Sequence, residues 1–352
     1  MTRRRAGKTH EAPTAPATGS QEARLEAAVG SWSVNVPQVN GTTQWRAVML
    51  LDSGLVMSAR DGSTELYNPY SDSWRTLMGP SPILSGGTHA TVTRLSSGKV
   101  LLSGGREGTT RTLLFNPATE GWSYQGHLAE GRLGHTATLL DSGQVLVTGG
   151  SYGPRGQRRS VELYEPATGT WSSVQPLPEA LTSHAATLLY SGKVLVTGGY
   201  HLDIWSHPAA QPRSAAYVFD PATRAWTPAG HMSRARVGHV SIRLYSGSVL
   251  VAGGTGLDNS DTSSDVYDPY NDQWLPGPSL PIPGPYASAT MLYSGEVLVL
   301  NTSGQGALYD PSANAWRLTA STQQLRGYAY AMLLHTGQVL AIGNGAMERF
   351  TR

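Results

Sequence analysis

The sequence contains no cysteine, which excludes disulfide bonds, thiolate metal sites and cysteine nucleophiles. Phenylalanine occurs only 3 times, and charged residues make up 14% of the 352 positions. No apolar run is long enough to cross a bilayer, and none follows Arg3–Arg5 as a signal peptide would require. The net charge of +2 is too small to indicate a nucleic-acid or membrane surface. We therefore expect a cytoplasmic protein with no nucleic-acid or membrane partner.

Glycine, by contrast, is abundant, with 41 residues, and many of them recur at regular intervals. The phrase Ser/Thr-Gly-x-Val-Leu, or a close variant, occurs seven times, with glycines Gly54, Gly98, Gly143, Gly192, Gly247, Gly295 and Gly337. The spacing of about 42–55 residues is typical of the four-stranded blades of a β-propeller. The sequence therefore predicts an all-β, seven-bladed propeller with four antiparallel strands, named a to d, in each blade.

Two further phrases mark the outer half of each repeat. Tyr/Phe-x-Pro begins at Tyr67, Phe115, Tyr164, Phe219, Tyr267 and Tyr309, with a degenerate copy at Phe350. A tryptophan follows each of those prolines by five residues, at Trp74, Trp122, Trp171, Trp226, Trp274 and Trp316. Proline and small polar residues predict a turn between strands c and d. The glycine of the first phrase predicts a tight turn between strands a and b, because glycine tolerates a positive φ.

The two ends of the repeat array predict how the ring closes. The last unit ends at Arg352 without a tryptophan strand, and Ser31-Trp32-Ser33 precedes the first unit as a strand d with no unit of its own. Pairing these segments would leave no open sheet edge. We therefore predict that residues 31–352 form one propeller, in which the N-terminal strand completes the C-terminal blade. Residues 1–30, which are polar and rich in Ala, Pro and Thr, are predicted to be a disordered tail.

These landmarks resemble the Kelch family, and bacterial Kelch repeats most of all. The shared features are the aromatic residue, the tryptophan and the Gly-Gly pairs that begin at Gly104, Gly149, Gly198 and Gly253. Blade one has Ser58-Ala59 and blade six has Asn301-Thr302 in place of Gly-Gly. The repeats are also similar to the propeller of copper radical oxidases of the galactose oxidase type. That family has a tyrosine before one inner-strand histidine, where this chain has Gly238 before His239. It also has a tyrosine cross-linked to a cysteine, and this chain has no cysteine. The resemblance therefore implies the fold without the copper-radical site.

Antiparallel pairing places the a–b and c–d turns at one face of the ring, the short-turn face. The b–c and d–a connections lie at the other, the variable-loop face, where the b–c loops range up to about seventeen residues in blade four (200–216). Binding residues are commonly carried by loops on a rigid scaffold. We therefore expect a small-molecule ligand or a protein partner at the channel mouth on the variable-loop face.

Strand a begins at this face with a histidine in four adjacent blades, at His89, His135, His184 and His239. One interpretation is that they brace backbone groups, as the Kelch resemblance implies. The other is a ring of imidazoles that transfers protons or binds a ligand. On that hypothesis the candidate catalytic residues are His135, His184, His239, Arg236 and Tyr328. The candidate ligand-binding residues are His89, Arg46, Trp45, Trp205, Arg213, Tyr286 and Arg326.

The blade-four insert contains His201, Asp203 and His207, which are the ligand types of a facial-triad metal site. The Asp203-x-x-x-His207 spacing is similar to half of the iron-binding pattern of plant nitrile specifier proteins, but Gly199 stands where their glutamate should be. We expect a solvated insert and no cofactor. The alternative is that these three residues bind iron, zinc or copper.

Two functions remain open at this stage. The first is a small-molecule site, in its catalytic form a non-redox isomerase, cyclase or lyase that uses His, Arg and Tyr as acid–base groups. The second is a non-catalytic protein-interaction scaffold that uses the same face. A concave polar pocket would favour the first, and a flat apolar patch would favour the second.

Overall fold

The computed structural model describes residues 29–34, 47–60, 62–78, 89–105, 109–152, 156–201, 211–255, 261–284, 286–324, 327, 330–343 and 346–352. Regular structure in these ranges consists of strands, and no helix that could span a membrane occurs in them. The strands form seven antiparallel sheets, which are the seven predicted blades. Six blades have strands a to d in chain order, blade seven takes its strand d from the N-terminal segment, and blade four has one short additional strand.

The strands of the first three blades follow the repeat closely. Blade one consists of β2 (Ala47–Leu50), β3 (Val56–Arg60), β4 (Ser63–Asn68) and β5 (Ser73–Thr76). Blade two consists of β6 (His89–Arg94), β7 (Val100–Gly105), β8 (Arg111–Asn116) and β9 (Gly121–His127). Blade three consists of β10 (Thr136–Leu139), β11 (Val145–Thr148), β12 (Val161–Glu165) and β13 (Thr170–Val174).

The last four blades have the same order, with two differences. Blade four consists of β14 (Ala185–Leu188), β15 (Val194–Thr197), the additional β16 (Tyr200–His201), β17 (Gln211–Asp220) and β18 (Ala225–Arg236). Blade five consists of β19 (Val240–Arg243), β20 (Val249–Ala252), β21 (Ser264–Asp268) and β22 (Gln273–Pro276). Blade six consists of β23 (Tyr286–Met291), β24 (Val297–Asn301), β25 (Gly306–Asp310) and β26 (Ala315–Leu318). Blade seven consists of β27 (Tyr330–Leu333), β28 (Val339–Gly343), β29 (Ala346–Thr351) and, from the other end of the chain, β1 (Ser31–Ser33).

This last pairing confirms the predicted closure of the ring. Trp32 lies opposite Phe350 in antiparallel register, and the two rings are 5.2 Å apart. Trp32 is 6% exposed, and its indole N–H donates to the carbonyl of Ala320 in blade six at 2.9 Å. The N-terminal strand therefore covers the edge of the last blade and ties it to its neighbour.

The hydrophobic core consists of layers between blades. Separate clusters of buried residues fill each of the seven junctions, including the junction of blades seven and one, where Ile342 packs with Val48 and Tyr67. The strand-b valines and leucines contribute most because both faces of this strand are covered. Burying one such side chain stabilises the fold by about 1.5–3 kcal/mol.

Each a–b turn is a three-residue loop that ends in glycine. In blade three, Leu140 N donates to Gln144 O at 2.8 Å, and Gly143 N donates to Leu140 O at 2.9 Å. Gly143 has a φ of 87°, and the equivalent glycine of every other blade is also in the left-handed region. The predicted glycine turn is confirmed, in the form of a hairpin loop with one more residue than the shortest type.

Candidate functional site

Three of the predicted site histidines lie buried at the start of strand a, between neighbouring blades. His184 Nε2 is 2.8 Å from Thr148 Oγ1 and 3.1 Å from Thr136 Oγ1, both in blade three. His135 and His239 reach the preceding blade in the same way, through Thr91 at 3.0 Å and Thr197 at 2.8 Å. The three side chains are 5–8% exposed. This geometry matches the bracing interpretation, because each imidazole joins two blades.

The environment of these histidines keeps them neutral. Burial lowers the pKa of His184 to about 4 and those of His135 and His239 to about 3. The nearby positive charge of Arg132 or Arg236 lowers them further. An imidazole with so low a pKa is neutral near pH 7 and is a very weak base, so it is poorly suited to general acid–base catalysis.

The same histidines explain the Gly-Gly pairs. A Cβ atom on Gly149 would lie 2.9 Å from His184 Cε1 and 2.5 Å from Leu181 O, and Gly149 has a φ of 58°. The second glycine, Gly150, donates its N–H to Leu181 O in the next blade at 2.8 Å. Only glycine lets strand b approach the next blade this closely.

Arg236, a candidate catalytic residue, lies inside the fold and is not accessible to a ligand. It is the last residue of β18 and is fully buried. Its guanidinium donates to Asp265 Oδ2 at 2.6 Å and to the carbonyls of Gly253 and Ser263, each at 3.0 Å. Both terminal nitrogens of Arg236 bind groups of blade five, so this residue holds blades four and five together.

Arg132 and Glu162 form the equivalent buried pair in blade three, which the sequence analysis missed. The sequence repeat does contain a pattern that predicts this buried pair. Arg132-Leu-Gly-His135 and Arg236-Val-Gly-His239 occupy the same place in their units, and strand c carries an acidic residue in both blades. Aligning the units position by position would have paired each arginine with its carboxylate.

A second cluster lies at the base of the blade-four insert, on the variable-loop face. Instead of one long loop, the insert begins as a hairpin, in which Tyr200 pairs with Pro212 and His201 with Gln211. The backbone of Tyr200 also bonds that of Thr182, close to the start of the inner strand. The hairpin thus stands beside the segment that leads into the channel wall.

Glu179 is the centre of this cluster, and the sequence analysis did not identify it. Its carboxylate accepts a hydrogen bond from the Tyr217 hydroxyl at 3.0 Å and lies 3.0 Å from Arg213 Nε. His201 Nδ1 is 3.9 Å from the same carboxylate and 2.9 Å from the carbonyl of Ala180. Burial and the charge of Glu179 raise the pKa of Tyr217 to about 12, so its hydroxyl stays protonated.

The side chains of this cluster are accessible, unlike the buried histidines. Arg213 is 37% exposed, His201 22% and Glu179 17%. Positive, negative and neutral hydrogen-bonding groups therefore meet at one spot on the variable-loop face. Of the predicted ligand-binding and metal residues, Arg213 and His201 are brought together here.

The remaining predicted site residues stay untested by the geometry. Seven lie outside the described residues, namely Tyr328, Arg46, Trp45, Trp205, Arg326, Asp203 and His207. His89 and Tyr286 begin β6 and β23, but only their backbones are described. Within the described part of the chain, no three His, Cys, Asp or Glu side chains are grouped as a metal site would require.

Comparison with known proteins places the fold. A family model for the Kelch motif matches residues 132–178, which span blade three. Among curated proteins, none matches the sequence significantly. Many solved structures are similar, among them a fungal alcohol oxidase of the AA5 family, determined in complex with copper. Its TM-score is 0.73 at 17% identity, over 92% of this chain and 76% of the oxidase. This degree of identity shows a common fold alone. The sequence repeat, the seven sheets and the motif match together show that the chain is a Kelch-repeat β-propeller.

Proposed function

We propose that this Kelch-repeat propeller binds a small polar molecule on its variable-loop face, beside the blade-four hairpin. The observation that carries the proposal is the Glu179 cluster, where Arg213 and His201 are partly exposed around a fixed carboxylate. A few convergent polar groups on a rigid scaffold are what orients a small ligand. The pairing of Arg213 with Glu179 makes the cluster close to neutral, which favours a ligand with both donors and acceptors over a simple anion.

The alternative, a protein scaffold that uses the same face, has less support. Of the large hydrophobic side chains that are exposed in the described residues, only Met78 and Tyr152 lie in connections of the variable-loop face. Two separated side chains do not make the contiguous apolar patch that marks a protein-binding surface.

Copper, which the similar oxidase binds, does not fit the residues described here. Nε2 of His135, His184 and His239 faces threonine hydroxyls of the neighbouring blade, and these rings lie in separate junctions. The chain also has no cysteine for a cross-linked tyrosine. We therefore derive no metal chemistry at the inner strands.

The catalytic form of the proposal is a non-redox isomerase, cyclase or lyase in which Glu179 is the base. Glu179 is the carboxylate of the cluster, and Tyr217 remains a protonated donor beside it. Under this hypothesis Glu179→Gln should lower turnover by about 10²–10⁴ while the fold is retained.

The proposal can be tested by ligand-observed NMR with a library of polar metabolites. Molecules that bind the wild type should bind Glu179→Gln and Arg213→Met roughly tenfold or more weakly, because each variant removes a charged hydrogen-bonding partner. The control is Thr168→Ala on the short-turn face, where Thr168 Oγ1 lies 2.7 Å from the neighbouring Thr170 hydroxyl. If every binder keeps its affinity for both cluster variants, the site is not at the blade-four hairpin.

A further inference from the structure

The grooves between blades on the short-turn face are covered by one residue from each a–b turn. The first residue of the turn lies against the turn glycine of the next blade, as Tyr190 does at Gly247 and Tyr245 at Gly295. Around the ring these residues are Asp52, Ser96, Asp141, Tyr190, Tyr245, Tyr293 and His335. Side-chain size at this position therefore decides how far each groove is filled.

The groove between blades two and three is left open. Blade two has Ser96 at the covering position, and the facing c–d turn of blade three has Ala167. In the groove between blades four and five the same two positions are Tyr190 and Tyr270, which meet over Gly247. Two small residues in one groove leave a pocket of about 350 Å³. That volume lies within the range of small-molecule sites.

Lys99 lines this pocket and lacks the partner that its counterpart has. In blade four the equivalent Lys193 forms an ion pair with Asp220 of its own blade, at 3.1 Å. Blade two has Asn116 at the position of Asp220, and Asn116 Oδ1 accepts the N–H of Ala118. Among the described residues Lys99 has no ion pair, so its ammonium is available to an anionic group in the pocket.

The opposite charge in the pocket comes from Glu165. Its carboxylate is held by Gln144 Nε2 at 3.1 Å and by the N–H of Ala167 at 3.2 Å, and it forms no ion pair with Lys99 within 4.0 Å. The lining also includes the side chains of Leu95 and Leu114, which are 4% and 7% exposed. The pocket thus offers separated positive and negative groups with an apolar surface, and its net charge is zero.

We propose that the pocket between blades two and three binds an α-amino acid with an apolar side chain. Its carboxylate would pair with Lys99, its ammonium with Glu165, and its hydrocarbon side chain would cover Leu95 and Leu114. A dianion such as phosphate fits less well, because Glu165 would repel the charge that Lys99 does not neutralise. The site is on the opposite face from the Glu179 cluster and does not depend on it.

The first test is calorimetric titration of the full chain with L-leucine, 4-methylpentanoate and 3-methylbutylamine. These probes share the same branched hydrocarbon chain. L-leucine carries both charges, 4-methylpentanoate carries only the carboxylate, and 3-methylbutylamine carries only the ammonium. We expect L-leucine to bind about tenfold or more tightly than either analogue, since each lacks one charged hydrogen bond. Equal affinity for the three, or no binding of L-leucine at millimolar concentration, would overturn the proposal.

The second test locates the site with variants. Ser96→Tyr introduces the residue that blades four to six carry at this position, and should close the pocket and abolish leucine binding without unfolding the protein. Lys99→Met should weaken leucine binding roughly 10- to 100-fold by removing the ammonium. Lys193→Met in blade four and Glu179→Gln on the other face are the matched controls, and neither should change it. If Ser96→Tyr still binds leucine and its melting temperature is unchanged, the leucine site is not in the pocket between blades two and three.

Discussion

The inner histidines and the two arginines Arg132 and Arg236 are polar residues with buried side chains. Each is used to join strands or blades, His184 to the threonines of blade three and Arg236 to Asp265. Burying such groups is costly unless they are hydrogen-bonded. These residues therefore fix how neighbouring blades pack, and they make the stability of the fold sensitive to acid.

We predict that the propeller loses stability as the pH falls from 6.5 towards 4. In the unfolded chain a histidine takes up its proton near pH 6.5, whereas the native pKa values of His135, His184 and His239 are about 3, 4 and 3. Between these pKa values the unfolded state binds more protons than the native state, so the free energy of unfolding decreases as the pH decreases. Each histidine should cost about 2 kcal/mol between pH 7.5 and 5.0.

Urea unfolding at the two pH values measures this loss. The His184→Gln variant keeps a hydrogen-bonding group at the junction but does not titrate, so its loss of stability between the two pH values should be smaller by about 2 kcal/mol. An identical pH dependence in the variant and the wild type would mean that the imidazole does not stay neutral in the fold.

We predict that breaking the buried pair of blade five is strongly destabilising. Arg236→Met leaves Asp265 buried, at 1% exposure, without its guanidinium. Removing one partner of a buried ion pair costs about 3–5 kcal/mol. The double variant Arg236→Met with Asp265→Leu should recover part of that loss, because the Asp265 charge is then removed together with its partner. The recovery should be partial, because Asp261, 3.7 Å from the Arg236 guanidinium, stays in place. Thermal or chemical unfolding of both variants checks the prediction; a double variant less stable than the single one would contradict it.

At the scale of the element, blade four departs most from the repeat. Its strands β17 and β18 are 10 and 12 residues long, while most other strands have 4 to 6. The additional length carries the hairpin that begins with Tyr200 and His201 beside the Glu179 cluster. The blade thus combines the repeated core strands with an insert between His201 and Gln211, here called the arm.

We predict that residues 202–210 can be replaced by Asn-Gly without loss of stability. His201 and Gln211 are directly opposite each other, and a two-residue turn of this type closes such a pair. The melting temperature should stay within a few degrees of that of the wild type. Any ligand of the variable-loop face should bind the shortened protein more weakly if the arm forms one wall of the site. A large fall in melting temperature would show that the arm belongs to the core of the fold.

At the scale of the whole molecule, stability depends on the closure of the ring. The seven junctions are packed one after another around the circle, and the blade-seven sheet contains both ends of the chain. A gap at any one junction would expose the apolar faces of two sheets, and loss of β1 would also uncover the edge of β29.

We predict that two N-terminal truncations differ sharply. Deleting residues 1–28 removes no described strand, so the melting temperature should be nearly unchanged. Deleting residues 1–33 also removes Trp32, with its contact to Phe350 and its hydrogen bond to Ala320, and uncovers β29. That truncation should be severely destabilised. Coinciding thermal melts of the two proteins would show that the closure contributes nothing.

The repeat phrases predicted the number of blades, the order of strands and the closing strand, because these follow from local patterns. A glycine turn, an alternating strand and a tryptophan at a constant spacing each depend on residues nearby in the chain. The bracing position of His135, His184 and His239 was among the interpretations that the sequence left open. The structure adds the threonine partners and the close approach of Gly149 to His184.

The candidate sites depended on contacts between distant repeats, and these were decided by the tertiary structure. Glu179 looked like an ordinary connecting residue until the fold placed it against Arg213 and Tyr217. Arg236 was a candidate catalytic residue by its sequence, but the structure buries it at the end of β18, against Asp265 of blade five. The pocket near Lys99 exists because Ser96 and Ala167, 71 positions apart in the chain, face each other across a groove. Sequence periodicity by itself determined the architecture, since every blade repeats the same local pattern. Burial, charge pairing and open space are properties of the junctions, where each blade meets a neighbour whose residues differ.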